Sequence, residues 1–390
     1  MQRYYFDHNA TTPVSPEVLQ AMTPVLAEVY GNASSLHYYG QAARKHLDGA
    51  RRQTAALLGA SPEEIVFTSG GTEADNLALL GFGGIETKRG VHVVTTTVEH
   101  PAVLGAAAQL ASATLVPVDS RGLVDPDDIR RALRDHTGHD TRIISVIHAN
   151  NELGTIQPIQ EIAAIAREAG VAFHSDGVQA AGKIDVDVKQ LGVTLYSIAG
   201  HKLYAPKGVG ALYVRKGTKL APMLHGGNHE RNRRAGTENV PGAVALGCAA
   251  QWMMENGLAE SRRLETLRDR LEQSVVDCVA GVHINGARAP RVSNTSNLRF
   301  DGIDAEPLLI ALDLRGFAVS SGSACSSGAS EPSHVLTAIG LTREQARSSL
   351  RVSLGRSNDA AQVDALVGAL VECVAHLRRL APSKPAPVYA

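Results

Sequence analysis

Two residues of this chain are placed to do covalent chemistry, Lys202 and Cys325. Lys202 lies in Ala199-Gly-His-Lys202, between two apolar runs, 195–199 and 209–214, that read as buried strands. Gly200, Pro206, Gly208 and Gly210 force a compact turn between the runs. A lysine held at a strand end, partly out of water, has a lowered pKa and can attack a carbonyl to form a Schiff base. Cys325 lies in Ser320-Ser-Gly-Ser-Ala-Cys325-Ser-Ser-Gly-Ala-Ser330. Little in that stretch can pack, so a mobile loop is expected, presenting its thiol to reactants.

Other polar residues follow predicted strands. Ser69-Gly-Gly-Thr-Glu73 stands at a strand-to-helix junction, where glycines let the backbone approach an anion and Thr72 adds a hydroxyl. It matches neither a dinucleotide fingerprint nor a Walker loop. His100, in Glu99-His-Pro101, ends a strand at 92–96 and precedes a helix; Asn151, in Asn150-Asn-Glu152, follows a strand at 142–148. Asp176 and Gln179 follow a strand at 171–175. The pattern therefore puts His100, Asn151, Asp176, Gln179 and Lys202 on one sheet edge. An aldehyde cofactor with a ring nitrogen and a phosphate requires such a set: an amine, a carboxylate and anion donors. Arg351 offers a bidentate clamp for a carboxylate, or a surface ion pair. His225 and His229 are spaced like metal ligands, but Gly226 and Gly227 spoil the helix that would align them.

The elements that position these groups are α/β. Strands at 65–68, 92–96, 114–118, 142–148 and 171–175 alternate with helices, which predicts a mostly parallel sheet with its ligand at the strand C-terminal edge. Beyond 214 the pattern changes to two long helices, 239–256 and 258–279. Short strands (295–300, 318–320, 351–354), a helix at 304–314 and a closing helix at 359–379 follow. At 390 residues, two domains are expected. We place a large one at 16–256, a smaller one at 1–15 plus 257–380, and a disordered tail at 381–390. A formal charge of −1 gives no reason to expect nucleic acid or an anionic membrane as partner. No apolar leader opens the chain and no stretch reads as a membrane span. The four cysteines are too scattered for a zinc site or disulfide framework, and a cytoplasmic, reducing setting is expected.

With these stretches together, the chain resembles the pyridoxal-phosphate-dependent cysteine desulfurases of the iron–sulfur-cluster and nitrogen-fixation group, within the class V aminotransferases. The motifs that carry the likeness are Phe6-Asp-His-Asn-Ala-Thr-Thr-Pro13, Asn150-Asn-Glu152, Gly200-His-Lys202 and Ser320-Ser-Gly-Ser-Ala-Cys325. The resemblance implies a fold-type-I architecture and a homodimer with sites at the subunit interface. It implies conversion of L-cysteine to L-alanine, with sulfur held on Cys325 as a persulfide and passed to an iron–sulfur scaffold or another acceptor. Lys202 would hold pyridoxal 5'-phosphate, and His100 would stack on the ring and assist proton transfer. Asp176 would pair with the ring nitrogen, Gln179 with the phenolic oxygen, and Asn151 with the ring substituent and substrate. Gly71, Thr72 and His201 would hold the phosphate, and Thr237 the phosphate of the neighbouring subunit. Arg351 and Asn9 would take the substrate carboxylate. Two hydroxyls common in the family are missing, at Ala199 and in Asp176-Gly-Val-Gln179. A selenocysteine lyase and a non-catalytic binding subunit are the alternatives; keeping Lys202 with Cys325 argues against the second.

Overall fold

The computed structural model describes residues 2–82, 90–135, 140–321 and 332–380. Cys325 and the expected disordered tail, 381–390, lie outside the described residues. In chain order the strands are β1 (Tyr4–Tyr5), β2 (Ile65–Thr68), β3 (Val91–Thr96), β4 (Ser112–Val116), β5 (Asp140–Ser145) and β6 (Ala172–Asp176). They continue with β7 (Leu195–Ala199), β8 (Gly210–Val214), β9 (Val282–Ile284), β10 (Thr295–Phe300), β11 (Phe317–Ala318) and β12 (Ser349–Ser353).

Seven strands form the main sheet in the order β2-β8-β7-β6-β5-β3-β4. β8 pairs antiparallel with both neighbours, and the other pairings are parallel. Every residue of β2, β3, β6, β7 and β8 is buried. That burial explains the near-continuous apolar runs in the sequence, since helices cover both faces of a parallel sheet. The antiparallel return of β8 follows from the tight turn after Lys202. At Gly200 a Cβ would lie 2.8 Å from Val209 Cγ1 and 3.0 Å from the Val209 carbonyl oxygen, so glycine is required there.

A second, antiparallel sheet, β9-β10-β12, lies in the C-terminal part. The N-terminal arm joins that part: β1 pairs with β11, and Asp7 bridges to Ser353. The predicted helices at 239–256 and 258–279 are instead one helix, Val240–Cys278. Gly257 lies inside it, where a Cβ would approach the Gly182 carbonyl oxygen to 2.7 Å. This glycine allows close packing rather than ending the helix. The first half of the helix, through Met253, packs in the large core, and Leu264, Leu267, Leu271 and Val275 pack in the smaller one. The closing helix, Ala360–Leu380, is long and apolar enough by composition to cross a membrane, which the sequence reading overlooked. Its Val363, Leu366, Leu370, Cys373 and Val374 are spent on the smaller core.

Candidate active site

The site grows from the C-terminal ends of four adjacent strands. β3 runs out through Glu99 to His100, which starts the helix Pro101–Ala107 and accepts the Ala102 N–H on Nδ1 at 3.1 Å. β5 leads to the turn carrying Asn151, and β6 ends on Asp176. β7 ends in the single 3₁₀ turn Gly200–Lys202. From the parallel β2, one strand beyond β8, Ser69 and Gly70 lead into the helix Gly71–Asn76. These ends enclose a cavity of about 620 Å³. Gly71, Thr72, His100, Asn151, Asp176, Gln179, His201, Lys202, Arg351 and Asn9 all line it; strand ends alone predicted one edge for His100, Asn151, Asp176, Gln179 and Lys202, and the resemblance implied the others. A larger cleft of about 710 Å³, between Pro117–Pro126 and Ile156–Pro158, holds none of them.

Burial decides the electrostatics. One oxygen each of Asp75 and Asp176 and a ring nitrogen of His100 lie within 4.8 Å of one another. Desolvation raises the pKa of Asp176 against the opposing pull of His100, the Val178 N–H and Lys202. Asp75 is pushed up further, by desolvation and then by the Asp176 charge, and its Oδ1 is buried without a hydrogen-bond partner. Glu99, behind them, is raised to about 8, chiefly by burial. The imidazoles move the other way. Burial lowers His100, and burial with the Lys202 and Lys207 charges lowers His201 to about 4. With Nδ1 accepting from Ala102, neutral His100 carries its proton on Nε2.

Lys202 Nζ donates to the Asn9 carbonyl at 2.5 Å and the Ala10 carbonyl at 2.7 Å. Arg351 is 1% exposed, and that burial sets it apart from a surface ion-pair residue. Its Nη2 donates to Asp7 Oδ1 at 2.7 Å, its Nη1 to the Asn151 carbonyl at 3.1 Å, and its buried Nε lacks an acceptor. Asn9 departs from its expected role as a carboxylate ligand. Its Nδ2 donates to the Asn151 carbonyl at 3.0 Å and Thr295 Oγ1 at 2.8 Å, so both amide hydrogens are taken. Asn9 is therefore a hub of the wall.

Thr237 is exposed and does not line this cavity. Cys325 lies outside the described residues, but the chain on either side of its segment is anchored here. Ser320 and Arg351 exchange backbone hydrogen bonds at 3.1 and 2.6 Å, and Pro332, Ser333 and His334 line the cavity. Sequence reasoning missed Asp75, Lys183 and His334. Asp75 sits inside a motif read for its glycines and hydroxyl, and only burial sets it apart from an ordinary helix carboxylate.

The site fits pyridoxal phosphate. Buried carboxyls with raised pKa values are what a protonated ring nitrogen would relieve, and Lys202 offers an amine beside them. Gly71 could not bear a side chain, since a Cβ there would lie 2.8 Å from Val178 Cγ2. The backbone is thus open to an anion beside Thr72 and His201.

Comparison with known proteins gives the family. The aminotransferase class-V family model matches residues 4–366. A cysteine desulfurase IscS of Methanosarcina thermophila is 46% identical, covering 98% of this chain and 94% of its own length. One from Dictyoglomus turgidum is 45% identical over 97% and 96%. Among solved structures, a NifS-like protein superposes with a TM-score of 0.88 at 36% identity, covering 96% of this chain and all (100%) of its own. SspA in complex with cysteine gives 0.80 at 34% identity, over 90% and 98%. With its fold-type-I α/β architecture, the chain belongs to the class-V aminotransferase family and, within it, to the cysteine desulfurases.

Proposed function

We propose that this chain is a pyridoxal-phosphate-dependent cysteine desulfurase that converts L-cysteine to L-alanine and takes the sulfur on Cys325. The observation that carries this is a single cavity joining Lys202, His100, Asp176 and buried Arg351, with the chain flanking Cys325 anchored at its rim. The bound cofactor would supply an electron sink for bonds at the amino acid's α- and β-carbons. Arg351, fixed by Asp7 and the Asn151 carbonyl, orients the substrate carboxylate. Lys202 Nζ is the base placed to move the α-proton, and neutral His100 holds a proton on Nε2 at the cofactor side. In the net transfer the Cβ–S bond breaks, an S–S bond forms at Cys325, and the β-carbon gains a proton to end as alanine. The persulfide is handed to an iron–sulfur scaffold or another sulfur acceptor. Two chains would complete each site, with exposed Thr237 reaching the neighbour's phosphate, and a reducing cytoplasm would keep Cys325 a thiol.

The test is stoichiometric. Purified protein loaded with pyridoxal phosphate, given L-cysteine and a thiol reductant, is expected to release alanine and sulfide in equal amounts. Cysteine left unconsumed by protein that has bound the cofactor would refute the assignment.

Ala199 gives a finer prediction. It is buried on the cavity wall, where the family resemblance implies a serine. A hydrogen bond to a charged phosphate is worth about 1.5–3 kcal/mol, of which water recovers a part. Ala199→Ser is expected to lower the apoprotein's Kd for pyridoxal phosphate about three- to tenfold and leave turnover of the loaded enzyme unchanged. Equal or weaker binding by a folded serine variant would mean that His201 or a backbone N–H already fills the place.

A further inference from the structure

Lys183 does not line the cavity, yet it touches two residues that do. Its Nζ lies 2.6 Å from Gln179 Oε1 and 3.0 Å from Asn9 Oδ1. Gln179 Nε2 in turn donates to the Asn9 carbonyl at 2.9 Å, the same oxygen that receives Lys202 Nζ at 2.5 Å. Lys183 is itself held in place: it follows Gln179 through a run of tight turns, and its carbonyl accepts from Ser261 of the long helix at 2.5 Å.

A side-chain amide has two nearly isosteric orientations, and its neighbours decide between them. An ammonium has only hydrogens to give, so charged Lys183 turns both amide oxygens toward itself, whereas a neutral amine adds a lone pair that can accept from an amide. Burial, with the charges of Lys202 and Arg351, pushes its pKa down to about 7, so the orienting effect is greatest on the acid side of neutrality. Turning Gln179 Oε1 to Lys183 leaves Nε2 as the group on the cavity side, with one hydrogen on the Asn9 carbonyl and a second still to donate. Turning Asn9 Oδ1 the same way, with help from Asn294 Nδ2 at 3.1 Å, directs Asn9 Nδ2 to the Asn151 carbonyl and Thr295.

We propose that Lys183 is a positioning residue that fixes the amide orientations of Gln179 and Asn9, so that Gln179 presents a donor to the cofactor's phenolic oxygen. Without it the Gln179 amide can turn over and present its carbonyl oxygen, which repels an oxyanion. The proposal rests on the functional reading above and adds a residue to it.

Lys183→Met, Gln179→Met and the double variant are compared with wild type by titrating apoprotein with pyridoxal phosphate and recording the bound cofactor's visible spectrum against pH. Lys183→Met is expected to weaken binding about tenfold, the scale of one hydrogen bond to a charged group, and to move the pH midpoint of the spectral change. Because Lys183 acts through Gln179, the double variant should bind within about twofold of Gln179→Met alone. Lys183→Met with wild-type affinity and an unmoved midpoint would overturn the proposal, and so would a double variant showing the product of the two single effects. If the methionine variant does not fold, Lys183→Gln replaces it, and its own coupling to Gln179→Met decides in the same way. Wild-type apoprotein that took up no pyridoxal phosphate would overturn the functional reading itself, and this proposal with it.

Discussion

A Lys202→Ala chain is expected to lose its covalent hold on pyridoxal phosphate and to retain less than about one-thousandth of wild-type desulfurase activity, since one group serves as both attachment point and base. The fold places this amine too specifically for a neighbour to replace it. Lys202 closes the turn after β7 that only glycine at position 200 permits, and its Nζ rests on the carbonyls of Asn9 and Ala10. The next lysine, Lys183, is held behind the wall by Gln179 and Asn9. Borohydride reduction of holoenzyme, then denaturation and mass measurement of the chain, reads the attachment directly. Wild type should carry the added cofactor mass and Lys202→Ala should not. A variant that still carries it would place the attachment at another amine. Alanine takes a charge away from Asp176 and a donor from the Asn9 and Ala10 carbonyls, but these face a cavity where water replaces them, so the variant should unfold within a few degrees of the wild-type apoprotein.

The site was legible because its residues obey one rule of parallel sheets. Functional side chains follow strand C-termini, and in this chain the ends of β3, β5, β6 and β7 are spatial neighbours. His100, Asn151, Asp176 and Lys202 could therefore be placed together from strand assignments alone, although β5 ends at Ser145 and not at 148 as its apolar run suggested. Chemistry at a strand end needs no side-chain detail to be foreseen. Contacts inside a wall do need it. Asn9 was expected to hold substrate, yet its amide is consumed by Asn151, Thr295, Lys183 and Asn294, all of them more than a hundred positions away in sequence. No local pattern announces such a hub.

Asp75 and Lys183 show the same limit from the other side. A carboxylate in a helix and a lysine after a turn are ordinary surface residues by composition. Burial beside the Asp176 carboxylate makes the first unusual, and two amide oxygens make the second a positioning group. The long helix Val240–Cys278 was misread because Gly257 looks like a terminator in sequence, whereas in space it lets the helix approach the Gly182 carbonyl. Propensity names what a glycine usually does, and tertiary packing decides what it does here.

Cys325→Ser is expected to keep pyridoxal phosphate and L-cysteine affinity within about twofold while sulfide release falls at least a hundredfold, because nucleophilic attack on sulfur requires a thiolate. A free thiol of pKa about 8.5 supplies a few per cent thiolate at neutral pH, and a serine hydroxyl supplies none of consequence. The other cysteines offer no substitute, for none of them lines the cavity. Cys248 is half-buried, its Sγ lies 3.6 Å from the Glu17 carbonyl, and burial raises its pKa. Cys373 is buried in the smaller core and raised likewise. Cys278 is exposed, but it ends the long helix on the side of the smaller core. Binding survives the substitution because the groups that hold cofactor and carboxylate, Asp176, His201, Lys202 and Arg351, belong to the sheet edge and its neighbours, which the substitution does not touch. Binding is followed by the cofactor's spectral change on adding L-cysteine, and transfer by sulfide released under a thiol reductant. A serine variant that releases sulfide within about threefold of wild type would move the sulfur acceptor to another thiol. One that fails to bind L-cysteine would make Cys325 a determinant of substrate binding rather than the group that receives its sulfur.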